Sequence, residues 1–191
     1  MHRSLSILLY KIRHPRWKFA LRRLYWRLLG MRVGSGACIG KINVSWPHSV
    51  SIGAGCLIED GVRFKVDGPY SPERRIIIGD NVFIGSFAEF NIQGEIRIEK
   101  DCLIASGCRF IDNNHGRSLE LPVREQPNTV ARINVGTGCW LGAGVLVLSG
   151  VAIGESSIIG AGAVVTRDLP PRTKSVGIPA RVISTVEESA P

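Results

Sequence analysis

Aliphatic residues recur at every sixth position along most of this chain, and a period of six excludes most of the ways a chain can fold. The series are Val33 and Ile39; Ile52, Ile58 and Phe64; Ile78, Ile84 and Phe90; Ile98, Ile104 and Phe110; then Val135, Leu141, Val147, Ile153, Ile159 and Val165. Gly often follows at once, at 40, 53, 79, 85, 136, 142, 154 and 160. Four residues after most aliphatics stands a small or β-branched one, among them Cys56, Val62, Ala88, Cys102, Cys139 and Ala163. A helix needs a period of 3.6 and an isolated amphipathic strand a period of 2. Six fits short strands joined by tight turns, each hexad forming one side of a triangular coil. The aliphatic points inward, the small residue enters the tapering interior, and Gly supplies turn conformations closed to other residues. The pattern therefore predicts an all-β fold, a parallel β-solenoid over residues 33–168.

Three breaks interrupt the rhythm: residues 65–77, a slip between Phe90 and Ile98, and the gap from Phe110 to Val135, which contains His115. Long loops leaving a rigid scaffold are favoured places for function. The expected division is a basic amphipathic helical extension over 1–30, repeats over 31–170 with a functional loop at 111–134, and a C-terminal segment over 171–191. Within the extension Pro15 separates two helical stretches, roughly 4–13 and 16–29. In the second, Trp17, Ala20, Leu21, Leu24 and Leu28 share one face.

Charge is distributed unevenly. The chain carries 24 Lys and Arg against 16 Asp and Glu, a formal +8. Residues 1–30 hold Arg3, Lys11, Arg13, Arg16, Lys18, Arg22, Arg23 and Arg27 and no acid, so the remainder is neutral. A nucleic-acid surface spread over the folded body is excluded by this balance. The extension reads as a membrane-surface helix, with Trp17, Tyr25 and Trp26 near the interface and cations on anionic headgroups. A helical cap over the open end of the repeats and a nonspecific nucleic-acid contact are the other readings, and the membrane and cap readings are compatible if each takes one face. The longest apolar run in the segment, Ile7 to Tyr10, is far short of the roughly 20 residues that span a bilayer. The expected location is the cytoplasm, peripheral on the inner face of a bacterial cell membrane. Five cysteines without a pairing pattern read as reduced thiols, four of them at the small position of a hexad and so packed rather than reactive.

A general base working near neutral pH is most economically a His. His115 alone among four histidines sits in an excursion, in Asp112-Asn113-Asn114-His115; taken by itself it reads more simply as a solvated loop residue. Phe110 to His115, with Val135-Gly136-Thr137-Gly138-Cys139-Trp140-Leu141-Gly142-Ala143 and Ile159 to Pro171, resembles the hexapeptide-repeat acyltransferases, in particular the galactoside, maltose and polysaccharide-modifying sugar O-acetyltransferases. Val176-Gly177-Ile178-Pro179-Ala180-Arg181 is similar as well. The resemblance implies a left-handed parallel β-helix, a homotrimer with sites between subunits, and acetyl-CoA as co-substrate without a metal. It implies His115 as catalytic base, Asn91 as the residue that orients the acceptor, and the Ala143 N–H as oxyanion donor. Trp140, Gly142, Ala143, Gly160, Ala161, Thr166, Arg167 and Arg181 would meet coenzyme A, and Asn91, Asp112 and Asn114 the acceptor. Arg167 stands where the family often has Lys, and Ser184 where some relatives carry a further base. The metal-dependent branch needs three His ligands, and the relevant region has one. The implied reaction is direct acetylation of a sugar hydroxyl on a cell-surface polysaccharide or lipid-linked glycan precursor. An N-acetyltransferase on an amino-sugar and a non-catalytic, membrane-docked scaffold are the alternatives.

Overall fold

The structure, a computed structural model, describes residues 16–68 and 70–186. It opens with a helix, α1 (Arg16–Leu28), and continues almost entirely in short parallel strands. The first circuit is β1 (Arg32–Val33), β2 (Cys38–Ile39) and β3 (Asn43–Val44). The second is β4 (Val50–Ile52), β5 (Leu57–Ile58) and β6 (Arg63–Val66), and the third β7 (Ile76–Ile78), β8 (Phe83–Ile84) and β9 (Glu89–Ile92). The fourth is β10 (Ile96–Ile98), β11 (Leu103–Ile104) and β12 (Arg109–Ile111), followed by the loop strands β13 (Asn113–Asn114) and β14 (Thr129–Val130). Then come β15 (Ile133–Val135), β16 (Trp140–Leu141) and β17 (Leu146–Val147), and β18 (Ala152–Ile153), β19 (Ile158–Ile159) and β20 (Val164–Val165). A final hairpin, β21 (Thr173–Val176) and β22 (Arg181–Thr185), closes the array.

Successive strands fall into three sheets in rotation. Sheet 1 is β1-β4-β7-β10-β15-β18, sheet 2 is β2-β5-β8-β11-β16-β19-β21-β22, and sheet 3 is β3-β6-β9-β12-β17-β20. Each strand pairs in parallel with the one a circuit away, in a register that stacks Ile52 on Ile78, Ile58 on Ile84 and Phe64 on Phe90. The hexad aliphatics are thus columns of one core. Phe64, Phe90 and Phe110 are fully buried, with ring centroids 5.0 and 4.7 Å apart.

The glycines after the aliphatics serve a different purpose from the expected one. Positive φ belongs to another column, Gly36, Gly55, Gly107, Gly138, Gly144 and Gly162 among them. At Gly34, Gly79, Gly136 and Gly142 a Cβ would lie 2.3–2.6 Å from a backbone nitrogen of the next circuit. Close stacking, not turn conformation, excludes a side chain there. The buried cysteines are similarly tied to stacking: the thiols of Cys56, Cys102 and Cys139 donate to the Gly79, Gly136 and Gly154 carbonyls of the following circuit at 3.0–3.1 Å.

Helix α1 lies on the outer face of the first circuit. Phe19, 1 % exposed, packs with Cys38 and Leu57 of sheet 2 and against Phe83. Arg22, Arg23 and Arg27 donate to the carbonyls of Ile39, Ala37 and Val33 at 3.1, 2.9 and 2.6 Å. The first circuit has no predecessor to occupy those acceptors, so the guanidinium groups close an open sheet edge. Trp17, Leu21, Leu24 and Leu28 remain exposed on the opposite face. The stretch predicted as a helix over 4–13 lies outside the described residues. Among the described residues no helix is long and apolar enough to cross a membrane.

Phe90 stands in the middle of the ring column, so Phe90→Ala is expected to lower stability by about 3–5 kcal/mol. Chemical denaturation of the two proteins measures this; a loss under 1 kcal/mol contradicts the shared core.

Candidate functional site

Every long departure from the strands occurs at the same edge, between sheet 3 and sheet 1. Residues 67–75 leave there after β6, the turn at 93–95 after β9, and residues 112–132 after β12. His115 rides on the last of these, and its position is set by two anchors. Asp112, fully buried, accepts the N–H groups of Gln93 and Gly94 at 2.8 and 2.7 Å, one on each carboxylate oxygen. Its carbonyl accepts from the Ala131 N–H at 2.9 Å and the Ser149 hydroxyl at 2.7 Å, so both limbs of the loop meet there. Farther out, Gln126 is buried; its Oε1 accepts from the Ser118 N–H at 2.7 Å and its Nε2 donates to the Ser118 and Leu121 carbonyls. A Cβ on Gly116 would fall 2.6 Å from the Gln126 side chain, which explains the glycine beside the histidine.

Asn114 is exposed and paired with Thr129, while Asn113 pairs with Val130, in the antiparallel β13–β14 ribbon. His115 is therefore carried on a braced loop with its side chain exposed, and among the described residues its ring has no hydrogen-bond partner. Both ring nitrogens are open to an incoming group. Asp112 corrects the expectation of an acceptor-binding side chain. Its carboxylate is enclosed and occupied by two backbone amides, so it positions the loop.

Asn91 lies half-buried on the outward face of β9, level with Ile111 and Lys65 on the flanking strands. Lys65 Nζ reaches Asn91 Oδ1 at 3.4 Å and pairs with Asp67 at 2.6 Å. This cation was invisible to the repeat pattern, because outward positions of a hexad carry no periodic signal. Thr166 and Arg167 are exposed on the same edge three circuits beyond β9, where Asp168 accepts the Ala152 N–H at 2.7 Å.

The other candidates sit elsewhere. Trp140 is 50 % exposed on the outer face of sheet 2, between Leu103 and Ile158. Gly142, Ala143, Gly160 and Ala161 form the edge between sheets 2 and 3, and the exposed Arg181 begins β22 just beyond it. In two earlier circuits a carboxylate occupies the turn amide at this edge: Asp60 takes the Lys41 N–H at 2.7 Å and Glu59 the Ser86 N–H at 2.8 Å. The Ala143 N–H, like those of Asp60, Ser106 and Ala161 at equivalent positions, has no acceptor among the described residues. Gly142 is buried and Gly160 is pressed by Val176, whose Cγ1 would be 2.7 Å from a Cβ. These two glycines are explained by stacking, which removes the need for a ligand to account for them. One chain thus presents its predicted site residues on two different edges, His115, Asn91, Asn114, Thr166 and Arg167 on one and Trp140, Ala143, Ala161 and Arg181 on the other.

All five cysteines are buried thiols, none of them in a disulfide. Burial pushes the Cys56 and Cys108 thiols up to about 11, and Cys102 is raised by its hydrogen bond with Cys139 and by burial. A nucleophile needs an accessible thiolate, which these are not.

Two stretches match descriptions of known repeats: residues 132–167 match "Bacterial transferase hexapeptide (six repeats)" and residues 75–108 "Hexapeptide repeat of succinyl-transferase". A putative acetyltransferase of Schizosaccharomyces pombe is 41 % identical over 112 residues, covering 59 % of this chain and 44 % of the relative. The galactoside O-acetyltransferase of Escherichia coli K12 is 33 % identical over 116 residues, covering 58 % of this chain and 57 % of the relative. The chain thus matches about half the length of these curated relatives. Among solved structures, the N-acyltransferase AntD of Bacillus cereus, in complex with dTDP-4-amino-4,6-dideoxyglucose and coenzyme A, superposes with a TM-score of 0.73 at 21 % identity, over 87 % of this chain and 90 % of that one.

The Asp112 anchor predicts that Asp112→Ala frees the loop without unfolding the sheets. Amide exchange should accelerate at Gln93 and Gly94 by about tenfold or more, as expected for losing buried charge-assisted bonds. Unchanged protection at these two amides refutes the anchor.

Proposed function

We propose that the chain is a hexapeptide-repeat acetyltransferase, a reading its two repeat matches and its curated relatives support, and that it transfers an acetyl group from acetyl-CoA to a sugar hydroxyl with His115 as the base. The circuits then wind as the family's left-handed parallel β-helix, residues 31–170, flanked by the extension 1–30 and the segment 171–191. The observation that carries the reading is the exposed, unpartnered imidazole of His115 on a loop braced by Asp112 and Gln126.

In the reaction, a ring nitrogen of His115 takes the proton of the acceptor hydroxyl as its oxygen attacks the thioester carbonyl carbon. The tetrahedral oxyanion accepts from the Ala143 N–H, an amide that no acceptor among the described residues occupies. Collapse breaks the carbon–sulfur bond, and the imidazolium returns its proton to the departing thiolate. Asn91, steadied by Lys65, orients the acceptor together with Asn114. Trp140 lies beside the thioester, Ala143 and Ala161 leave room for the pantetheine arm, and Thr166, Arg167 and Arg181 meet the phosphates. Since His115 and Ala143 lie on different edges, the complete site joins two copies, in keeping with a homotrimer whose sites lie between subunits. The acceptor is a polysaccharide or lipid-linked glycan precursor. The fold shared with an N-acyltransferase supports a second reading, an amino-sugar acceptor; a paired screen of hydroxyl and amine acceptors separates the two.

His115→Ala is expected to lower kcat/KM by about a hundredfold or more while acetyl-CoA still raises the melting temperature. Retained turnover refutes the base, and a chain whose melting acetyl-CoA never shifts is a scaffold.

The exposed stripe Trp17, Leu21, Leu24 and Leu28, with Lys18 beside it, supports a peripheral place at the cytoplasmic face of an anionic membrane. Full-length protein should float with vesicles containing phosphatidylglycerol, and Leu21→Glu/Leu24→Glu should abolish flotation without unfolding the protein. Equal flotation of the two refutes the membrane role.

A further inference from the structure

Two and three circuits before the His115 loop, on the same edge, an aromatic cluster stands in the open. Trp46 is 40 % exposed in the first-circuit turn and Tyr70 is 66 % exposed in the 67–75 excursion. Their ring centroids are 6.2 Å apart at 75°, and Tyr70 lies over His48 at 4.7 Å with the planes tilted by 38°. Polar bonds beneath hold the two turns together. His48 Nε2 is 2.9 Å from the Ser71 carbonyl, Arg74 donates to the His48 carbonyl at 3.0 Å, and the Arg75 N–H donates to the Ser49 carbonyl at 2.8 Å. The core is closed without Trp46 and Tyr70, so packing does not account for their exposed faces. Two rigid aromatics fixed at an angle, with wet polar surroundings, suit the apolar face of a sugar ring and its hydroxyl rim.

The excursion that carries Tyr70 and the far limb of the His115 loop both contribute to a cleft of about 390 Å³ on this edge. Glu73 and Arg75 line it from the excursion, Gln93 and Glu95 from the third-circuit turn, and Arg132 from the far limb of the His115 loop. Glu95 is held by Arg97 and Arg132 at 3.2 and 3.1 Å, which sets a row of hydrogen-bonding groups along the floor. At the spacing of parallel strands, two circuits separate the Tyr70 excursion and three the Trp46 turn from the loop root, about 9 to 14 Å. A single hexose cannot bridge that distance; an oligosaccharide can.

We infer that Trp46 and Tyr70 form a sugar-stacking subsite, and that the acceptor is an extended glycan lying along the cleft with one ring on the aromatics and another at His115. The inference rests on the acyl-transfer reading only for what happens at the His115 end.

The test uses the full chain and measures affinity calorimetrically for maltotetraose, chitotetraose and tetragalacturonate, each against its monosaccharide. Stacking is tolerant of ring identity, so at least one tetrasaccharide is expected to bind about tenfold tighter than its monosaccharide. Trp46→Ala and Tyr70→Ala should each remove that preference. So should Tyr70→Leu, which still covers His48 but has no flat face. The subsite is overturned if no tetrasaccharide is preferred, or if variants that melt like the parent keep the preference. Acetyl-CoA titrated into the same samples separates the two ideas. Length preference without acetyl-CoA binding keeps the subsite and refutes acyl transfer, whereas acetylation of monosaccharides without length preference does the opposite.

Discussion

Main-chain hydrogen bonds join each circuit to the next, and the repeating distance they impose governs most other choices in the sequence. The Gly34, Gly79, Gly136 and Gly142 positions face a neighbouring backbone so closely that no Cβ fits. The Phe64–Phe90–Phe110 column exists because the same distance suits stacked rings. Thiols at Cys56, Cys102 and Cys139 satisfy turn carbonyls that the ladder leaves inside. A stack of this kind also has two ends, and the first is closed by α1, whose arginines bind the carbonyls that no earlier circuit can reach.

The inward half of this design was legible in the sequence because it is periodic. A hexad aliphatic has one direction to face, so the rhythm marked the buried columns and the gaps marked the excursions. The reason for the following glycines was misread, since a period reveals which positions are restricted but not by what. Asp112 shows the same limit at the site. Its place before Asn113 and His115 suggested ligand contact, but two backbone amides from another circuit, Gln93 and Gly94, occupy it. Nothing local in the sequence signals a partner eighteen or nineteen residues back. The docking face of α1 is hidden for a related reason: the apolar face readable from the sequence is the Trp17–Leu28 stripe, whereas the helix docks through Phe19 and the half-buried Trp26, flanked by arginines.

The body tolerates excursions at one edge because each sheet is only a few residues wide and its corners are solvent-facing. That edge collects the groups with chemistry to offer: the aromatic cluster, the charged cleft, Asn91 with Lys65, and His115. The edge between sheets 2 and 3 instead offers small residues and the unpaired Ala143 N–H, beside the exposed Trp140. On the proposed reading the chain holds two half-sites, each kept rigid by stacking, and association of copies would bring the base of one to the donor of another.

That division makes hybrid oligomers the most direct test of the account. A His115→Ala chain retains the Trp140 edge, and a Trp140→Ala/Arg181→Ala chain retains the His115 edge. If the site lies between copies, each variant alone is inactive and oligomers formed by refolding the two together regain acetyl transfer, because some interfaces pair an intact half from each. Activity in the mixture no greater than the sum of the separate variants would contradict it.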